Sequence, residues 1–344
     1  MNAIIAARIT LRAPGPYPPA MSTVAPTFRD VLEARRSIEP HLDPTPLLHQ
    51  PTLSDLLGAE VWTKHENHLP TGSFKVRGGI HLATNLGETE RRAGLYTAST
   101  GNHAQSIAWA GRATGTAVTV AMPEGANPVK VAGTRALGAE VILHGRDYDE
   151  AREWIGERAA EKAARFVGPA DTELIAGVAT YALEIVERLP EAEVLLVPVG
   201  AGSGACGCCL VGKHLNPALE VIGVQSAAAP TQQRTWAAGH PVTAPMETVA
   251  EGLATRVPHE HAQRMLSDPE RGLDDFVLVS DAELEDSIRL LIDHARTLVE
   301  HAGAAALAAA LSLRERLAGK RVVLVLSGGN LGSVALGRIL GGAT

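Results

Sequence analysis

A lysine between a glycine turn and a glycine pair is the first residue of this sequence that could do covalent chemistry. Lys75 follows Thr71-Gly72-Ser73-Phe74 and precedes Val76-Arg77-Gly78-Gly79. Most lysines lie at the surface, but apolar neighbours such as Phe74 and Val76 lower the pKa of an amine by desolvation. A lysine with a lowered pKa is a nucleophile and can form a Schiff base. Lys75 is therefore the candidate catalytic residue.

A second polar segment, Ser99-Thr100-Gly101-Asn102-His103, stands where a predicted strand gives way to a predicted helix. Ser, Thr and Asn are common helix caps, so a structural role alone would explain it. Backbone N–H groups at a helix start also bind carboxylates, and Asn102 adds an amide donor. At this point the segment is consistent with a cap alone and with a cap that also binds an anion.

Glycines gather in a third segment, Gly200-Ala201-Gly202-Ser203-Gly204, directly after the predicted strand Val194–Val199. A strand, a glycine loop and a helix form an arrangement that binds phosphate. The glycines let backbone N–H groups converge on an anion at the positive end of the helix dipole. We therefore predict an anion-binding loop here.

Two nucleotide-binding patterns overlap this segment, and both are incomplete. Gly202 to Gly207 has the spacing of a dinucleotide fingerprint, but the next strand ends in Gln225 where a ribose-binding carboxylate is expected. Gly207 to Lys213 is spaced like a P-loop, but His214 replaces the Ser or Thr that would hold magnesium. The sequence disfavours both interpretations.

The fourth segment is Ser327-Gly328-Gly329-Asn330, which follows the predicted strand Arg321–Leu326. A turn would explain Ser-Gly-Gly by itself. The carboxyl ends of parallel strands are, however, where α/β proteins bind ligands, and the Ser327 hydroxyl can give one hydrogen bond to a ring atom.

The elements that must position these residues alternate along the chain. Short apolar runs predict strands at Gly94–Ala98, Ala117–Met122, Glu140–Leu143, Val194–Val199, Val221–Gln225 and Arg321–Leu326. Apolar residues at helical spacing predict helices at Asn102–Gly115, Pro128–Leu137, Asp149–Arg165, Leu174–Arg188 and Leu284–Glu300. An Ala-rich stretch, His301–Leu313, is expected to be buried between the sheet and another helix. Strands separated by helix-length segments predict an α/β fold with open, mainly parallel sheets.

Composition narrows the class of protein. The 344 residues are 45% hydrophobic, 20% charged and only 3% aromatic, with 34 glycines and a net charge of −7. This composition supplies a large aliphatic core and no broad basic field, so we expect small-molecule partners and no nucleic acid. The uncharged run Val194 to Gly212 contains Pro198 and five glycines, which disfavour a membrane helix.

The cysteines and the amino-terminal residues indicate the compartment. All three cysteines fall in Cys206-Gly207-Cys208-Cys209. That spacing suits neither a disulfide framework nor a zinc site, so we predict packing of small side chains and a cytoplasmic location. The first 50 residues have no convincing secretory signal.

The chain continues only 14 residues past Asn330, so no regulatory domain is expected to follow.

Taken in order, Ser73-Phe74-Lys75, Ser99 to His103, the glycine loop and Ser327 to Asn330 resemble the pyridoxal-phosphate-dependent threonine/serine dehydratases. This fold type II family includes serine racemase, and the resemblance covers about residues 28 to 340. It implies a cofactor in the cleft between two domains. The expected organisation is an N-terminal extension at 1–27, a large cofactor-binding domain at 28–93 plus 169–344, and a small domain at 94–168. It also implies a homodimer or higher homo-oligomer.

The resemblance assigns a role to each candidate residue. Lys75 would be joined covalently to the cofactor and would then act as the base at the substrate Cα, with Phe74 packed near the ring. Asn102 would bind the ring hydroxyl and Ser327 would face the pyridine nitrogen. The substrate carboxylate would lie on the backbone of Ser99, Thr100, Gly101 and His103. The phosphate would lie in the loop formed by Gly200, Ala201, Gly202, Ser203 and Gly204, and is the family's proposed proton donor to the leaving hydroxyl.

The implied activity is that of an ammonia-lyase: β-elimination from a β-hydroxy amino acid such as L-threonine or L-serine, giving a 2-oxo acid and ammonia. Ser203 replaces a glycine of the usual run, so we expect its hydroxyl to contact the phosphate. Ala170 replaces an aromatic residue and favours a bulkier substrate. Gln225 and Thr231 stand where racemases carry metal-binding carboxylates, so no metal is expected.

Three alternatives remain open. Thr100 stands where racemases have a catalytic serine, so serine racemase is one of them. The second is a β-replacement synthase of the same fold, which His103 disfavours because synthases often carry Thr there. The third, outside this chemistry, is a non-enzymatic nucleotide-binding module, supported only by the two incomplete phosphate patterns.

Overall fold

The computed structural model describes residues 24–341, which form ten strands and sixteen α-helices. The strands are β1 (Leu47–His49), β2 (Glu60–His65), β3 (Leu95–Ala98), β4 (Val118–Met122), β5 (Glu140–Leu143), β6 (Arg165–Phe166), β7 (Val194–Pro198), β8 (Glu220–Ser226), β9 (Asp275–Val279) and β10 (Arg321–Leu326). Most of the predicted N-terminal extension, residues 1–27, lies outside the described residues.

The helices connect the strands and cover both faces of the sheets. They are α1 (Phe28–Ile38), α2 (Pro51–Leu57), α3 (Lys75–Thr84), α4 (Glu88–Ala93), α5 (Asn102–Thr114), α6 (Pro128–Ala136), α7 (Tyr148–Glu161), α8 (Thr172–Val178), α9 (Thr180–Arg188), α10 (Ser203–Leu215), α11 (Thr231–Ala238), α12 (Glu260–Leu266), α13 (Asp281–Ala295), α14 (His301–Ser312), α15 (Arg314–Leu317) and α16 (Ser333–Gly341). Two short 3₁₀ turns occur at Glu66–His68 and Glu251–Leu253.

The strands form two sheets, which confirms the predicted α/β class with mainly parallel sheets flanked by helices. A six-stranded sheet has the order β1-β2-β10-β7-β8-β9, and a four-stranded sheet has the order β5-β4-β3-β6. Among the strand pairs within residues 24–341, only β1–β2 is antiparallel. Strands β10 and β7 are neighbours, so their carboxyl ends bring the glycine loop and the Ser327 turn to the same edge.

The core explains why these runs became strands and helices. Along β7, Leu195 and Val197 pack into a cluster with α8, α9 and α10, whereas Val194 and Leu196 pack on the opposite face with α13 and α14. This alternation follows from the period of two in a strand. The Ala-rich α14 is buried from His301 to Ala310 and lies between the sheet and α13, because its small side chains permit close packing.

A separate cluster joins α1, α3 and α5 to one face of the four-stranded sheet, and α7 covers the other face. The four-stranded sheet therefore occupies residues 95–166, but its core also includes α1 and α3. The domain boundaries at residues 93 and 168 stay a prediction.

Three predicted helices differ from the observed ones. Asp149–Arg165 ends at Glu161 as α7, because Ala163 at φ +49° turns the chain and Arg165 begins β6. Leu174–Arg188 is divided at Ala179 into α8 and α9. The Thr180 hydroxyl donates to the Gly177 carbonyl oxygen at 2.7 Å, a local bond that competes with the helical ladder. Leu284–Glu300 ends early because Arg296, at φ +52°, turns the chain towards α14.

Within residues 24–341 there is neither a helix that could span a membrane nor a cluster of side chains that could bind a metal ion. No helix within residues 24–341 combines the length and the apolar character that crossing a bilayer requires. In the same range, His, Cys, Asp and Glu side chains form no group of three or more that could hold a metal ion. Cys206, Cys208 and Cys209 are buried in α10, and burial raises the pKa of each thiol. They therefore pack as small apolar side chains.

Candidate functional site

Lys75 is the first residue of α3, and the turn before it is joined to the Ser327 segment. The Phe74 N–H donates to the Ser327 carbonyl oxygen at 3.1 Å, and the Gly329 N–H donates to the Gly72 carbonyl oxygen at 2.8 Å. Gly72 has φ +67°, and a Cβ there would lie 2.5 Å from Asn330 Oδ1, so only glycine suits the turn. The first and fourth sequence segments are therefore one structural unit.

The Lys75 amine is surrounded by neutral groups. Its Nζ lies 3.1 Å from Ser203 Oγ and 3.4 Å from the Pro169 carbonyl oxygen, and 5.2 Å from the centre of the Phe74 ring. Burial lowers the pKa of Lys75 to about 8 from 10.5. Near neutral pH a much larger fraction of this amine is unprotonated than of a surface lysine, so it can act as a nucleophile or a base.

The glycine loop folds as the sequence predicts, between β7 and α10. A Cβ on Gly200 would lie 2.1 Å from the Gly252 carbonyl oxygen, and Gly202 has φ +101°. A Cβ on Gly204 would lie 3.1 Å from Tyr181 Oη and 3.6 Å from the Phe74 ring. Ala201 is half-buried, and Ser203 is the buried first residue of α10. The loop thus leaves a backbone cradle at a helix N-terminus.

The P-loop interpretation of the same region is wrong. Gly207 and Lys213 both lie inside α10 rather than in a loop. Lys213 Nζ donates to the Leu219 carbonyl oxygen at 2.8 Å and pairs with Asp274 at 2.6 Å, so it serves the packing of α10.

Asn102, at the start of α5, belongs to a chain of hydrogen bonds that the sequence analysis missed. Asn330 Nδ2 donates to the Thr71 carbonyl oxygen at 2.8 Å and to Asn102 Oδ1 at 2.7 Å. Asn102 Nδ2 donates to Glu300 Oε1 at 2.7 Å. Burial raises the pKa of Glu300 to about 7. These bonds fix the orientation of the Asn102 amide and leave one of its N–H groups for another acceptor.

Glu300 was not predicted as a site residue, and neither was Asn330, although Asn330 ends one of the four segments. The one signal for Glu300 in the sequence is a carboxylate directly before the Ala-rich run that became α14. A charge beside such a buried helix needs a partner, but its partner Asn102 is 198 positions away in the sequence.

The remaining candidates lie around the start of α5. Ser99, Thr100 and Gly101 are half-buried between β3 and α5, and the Gly101 N–H donates to Ser99 Oγ at 3.1 Å. His103 is buried, with Nε2 3.2 Å from the Val167 carbonyl oxygen, whereas its Nδ1 has no hydrogen-bond partner among the described residues. Burial lowers the pKa of His103 to about 3, so the ring is neutral.

Ser327 and Ala170 complete the set. Ser327 is buried at the end of β10, where its carbonyl oxygen holds the turn before Lys75. Ala170 is fully buried and packs in the same core cluster as Ile175. A phenylalanine at this position would have to displace packed neighbours, so the bulkier substrate stays a prediction of the sequence alone.

A second histidine near the amine was also missed. His259, just before α12, is buried, and its pKa falls to about 4, mainly by burial and further by the charges of Lys75 and Arg152. Both histidines near Lys75 are therefore neutral around pH 7. The sequence offers no periodic or motif signal for His259, because it lies in an irregular segment between β8 and β9.

Comparisons with known proteins agree with this arrangement. Residues 38–328 match a family described as pyridoxal-phosphate dependent enzyme. The chain is 37% identical to L-threonine ammonia-lyase of Thermotoga maritima, covering 91% of this chain and 78% of that protein. It is 35% identical to L-threo-3-hydroxyaspartate ammonia-lyase of Saccharomyces cerevisiae, covering 90% and 94%. It superposes on the processed threonine deaminase isoform 2 of Solanum lycopersicum with a TM-score of 0.86 and 27% identity, covering 100% and 99%.

Proposed function

The chain belongs to the family of pyridoxal-phosphate-dependent enzymes, and we propose that it is an ammonia-lyase acting on a β-hydroxy amino acid such as L-threonine or L-serine. The reaction removes the Cα proton and the β-hydroxyl together as water. The resulting enamine takes up a proton at Cβ and becomes an imine, and addition of water to that imine then releases ammonia and leaves a 2-oxo acid. The observation that carries the proposal is the Lys75 amine, with its lowered pKa, 3.1 Å from the loop residue Ser203.

The residues present fit the cofactor. The loop from Gly200 to Gly204 provides a backbone cradle that a Cβ on Gly200 would close, and α10 directs its N-terminus towards that cradle. A phosphate would be held there by backbone N–H groups. Asn102 keeps one amide N–H for the ring hydroxyl, and Ser327 stands at the end of β10 as the residue assigned to the ring nitrogen.

Pyridoxal phosphate supplies, when bound, an aldehyde for an amine and a ring system that accepts electrons from the substrate Cα. The Lys75 amine anchors it and, when free, is the base that takes the Cα proton. The low pKa of Lys75 suits both tasks because the neutral amine is accessible near pH 7.

The start of α5 is the proposed carboxylate site. The first turn of α5 contains no acidic residue, and Ser99 and Thr100 are only half-buried. The Glu251 carboxylate, 3.7 Å from the position of a Cβ on Gly101, is paired with Lys130. The neutral His103 ring adds no charge that would compete for the carboxylate. Anchoring the carboxylate here would keep the substrate Cα within reach of Lys75.

The test begins with the covalent bond. The purified holoprotein is treated with borohydride and digested, and the cofactor adduct is located by mass spectrometry. We expect the adduct on Lys75, its loss in Lys75→Ala and its retention in Lys162→Ala, a matched control on an exposed lysine. An adduct that persists in Lys75→Ala would refute the assignment.

The reaction is tested next with a panel of amino acids. Release of 2-oxo acid from L-threonine and L-serine supports the proposal, and chiral analysis of the remaining substrate detects racemisation. If no β-hydroxy amino acid yields a 2-oxo acid and serine is instead converted to its other enantiomer, the protein is a racemase and not a lyase. Consumption of an added thiol would indicate β-replacement.

A β-hydroxy amino acid with a second carboxylate is the second substrate candidate. Arg152 and Lys75 both lower the pKa of His259, so both cations lie near that histidine, and Arg152 is also 4.0 Å from the Asp149 carboxylate. The Saccharomyces cerevisiae relative is named for such a substrate. The panel therefore includes L-threo-3-hydroxyaspartate, and Arg152→Met should weaken its turnover more than that of L-threonine. Equal effects on both substrates would exclude this role.

The assembly and the compartment remain proposals. A homodimer or higher homo-oligomer is expected from the family resemblance, and a cytoplasmic location from the clustered, buried cysteines. Size-exclusion chromatography with light scattering tests the first; a monomer at micromolar concentration would contradict it. Fractionation of the source cells tests the second.

A further inference from the structure

Ser203 replaces a glycine of the run that the family resemblance implies, and its side chain contacts the reactive amine. It is 2% exposed and opens α10 directly after Gly202, whose φ of +101° turns the loop. Its Oγ lies 3.1 Å from Lys75 Nζ. A glycine at this position would remove that contact and leave the backbone cradle unchanged.

The hydroxyl is the nearest polar partner of the amine. The other acceptor, the Pro169 carbonyl oxygen, is at 3.4 Å, near the limit for a hydrogen bond. Within residues 24–341 no carboxylate forms an ion pair with Lys75. Lys75 acts on two titratable groups, His103 from α5 and His259 from the segment before α12, and their pKa values of about 3 and about 4 keep both rings neutral above pH 6.

We infer that Ser203 is a positioning residue for Lys75: its hydroxyl oxygen accepts an N–H from the free amine and holds it at the edge of the glycine loop. This rests on the proposed function, in which Lys75 is the covalent anchor and the base. A serine hydroxyl that accepts one hydrogen bond still has its own hydrogen to donate. Ser203 can therefore connect the amine with an anion in the loop.

The alternative is that the hydroxyl serves only the anion. The two roles differ for a ligand that has the aldehyde but no phosphate. Binding of pyridoxal depends on the reaction of its aldehyde with Lys75 and not on the phosphate loop. Binding of pyridoxal phosphate depends on both Lys75 and the loop.

The experiment measures capture of pyridoxal by Lys75 from pH 6 to 10, trapped with cyanoborohydride and quantified on the Lys75 peptide. An acceptor that stabilises the ammonium form keeps the pKa of the amine higher than it would otherwise be. Ser203→Ala should therefore lower the pH midpoint of capture by about half to one unit, as expected for one net hydrogen bond. Near pH 7 this raises the captured fraction roughly two- to fivefold.

Three further variants complete the design. Ser203→Thr retains the hydroxyl and should restore the wild-type midpoint. Ser203→Gly, the residue of the usual run, should match Ser203→Ala and shows that the shift does not come from a misfolded loop. Ser287→Ala removes another buried hydroxyl, on α13, and should change nothing.

The result that overturns the inference is an unchanged pyridoxal midpoint in both Ser203→Ala and Ser203→Gly, with a lower affinity for pyridoxal phosphate alone. Failure of the proposed function is a different result: equal total capture of pyridoxal, measured on the intact protein, by Lys75→Ala and by the wild type would show that Lys75 is not the anchor.

Discussion

Glu300 should make the cofactor-free protein less stable as the pH rises, and Glu300→Gln should remove that dependence. Burial raises the pKa of this carboxyl to about 7 from 4.5, although Asn102 donates a hydrogen bond that lowers it. Between these two values the folded protein binds more protons at residue 300 than the unfolded chain does. The contribution of Glu300 to the free energy of unfolding therefore falls as the pH rises from 4.5 to about 7, and is constant above that range.

The size of the effect follows from the same two values. A difference of one pKa unit corresponds to about 1.4 kcal/mol, so ionisation of Glu300 costs the fold at most about 3 kcal/mol. Glutamine keeps an oxygen acceptor for Asn102 Nδ2 but carries no charge. The stability of Glu300→Gln relative to the wild type should increase by up to about 3 kcal/mol between pH 5 and pH 8, a rise of several degrees in relative Tm.

The assay is thermal unfolding of both proteins without cofactor, at intervals from pH 5 to pH 8. Asp171, whose pKa burial raises to about 7, titrates in the same range, but it is present in both proteins and cancels in the difference. Glu247→Gln, at an exposed carboxylate, serves as the control and should follow the wild type. If the curves of the wild type and Glu300→Gln run parallel across this range, Glu300 does not bury a charge and the reasoning is wrong.

Two further predictions concern the cradle and the helix that carries the amine. Gly200→Ala places a Cβ 2.1 Å from a backbone carbonyl oxygen and should weaken pyridoxal phosphate binding roughly 10- to 100-fold, whereas Gly125→Ala, with open space around it, should not. Titration of the cofactor by absorbance checks this, and equal affinities would contradict it. Arg77→Met leaves Glu66, which is fully buried, without its 2.7 Å ion pair and should cost about 3–5 kcal/mol of stability, but Arg92→Met breaks an exposed pair and should cost at most about 1 kcal/mol. Denaturant unfolding compares them, and similar losses would exclude a special role for the buried pair.

The sequence was most informative where one local pattern decided the structure. The runs Glu140–Leu143 and Arg321–Leu326 are strands with the predicted bounds, because each is a short apolar run in a parallel sheet. Strand β2 was missed, since Trp62, Thr63 and Lys64 do not form an apolar run; Lys64 is buried only because it pairs with Glu184. Such a partner is visible only after the chain has folded.

In the candidate site, too, local sequence patterns predicted some residues and missed others. Lys75, the glycine loop and the start of α5 were found because each has the residue types that its backbone geometry requires. Glu300 and His259 were not found, because what makes them unusual is burial beside residues from distant parts of the chain. Their pKa values are set by desolvation, and desolvation is a property of the packed structure and not of a motif.

The functional groups of the site are held by hydrogen bonds between distant segments of the chain. The Lys75 turn is bonded to the Ser327 segment, its amine to Ser203 on the loop after β7, and Asn102 on α5 to Glu300 and Asn330. Each of these bonds joins segments from different strands or sheets, so no single segment can hold its functional group in place alone. Because Asn102 follows β3 of the four-stranded sheet and Glu300 lies beside the six-stranded sheet, a movement that separates the two sheets at this point would stretch or break the Asn102–Glu300 bond. The orientation of the Asn102 amide therefore depends on the relative position of the two sheets. Among the site residues, Asn102 is the one whose hydrogen bonding we expect to change first when that position changes.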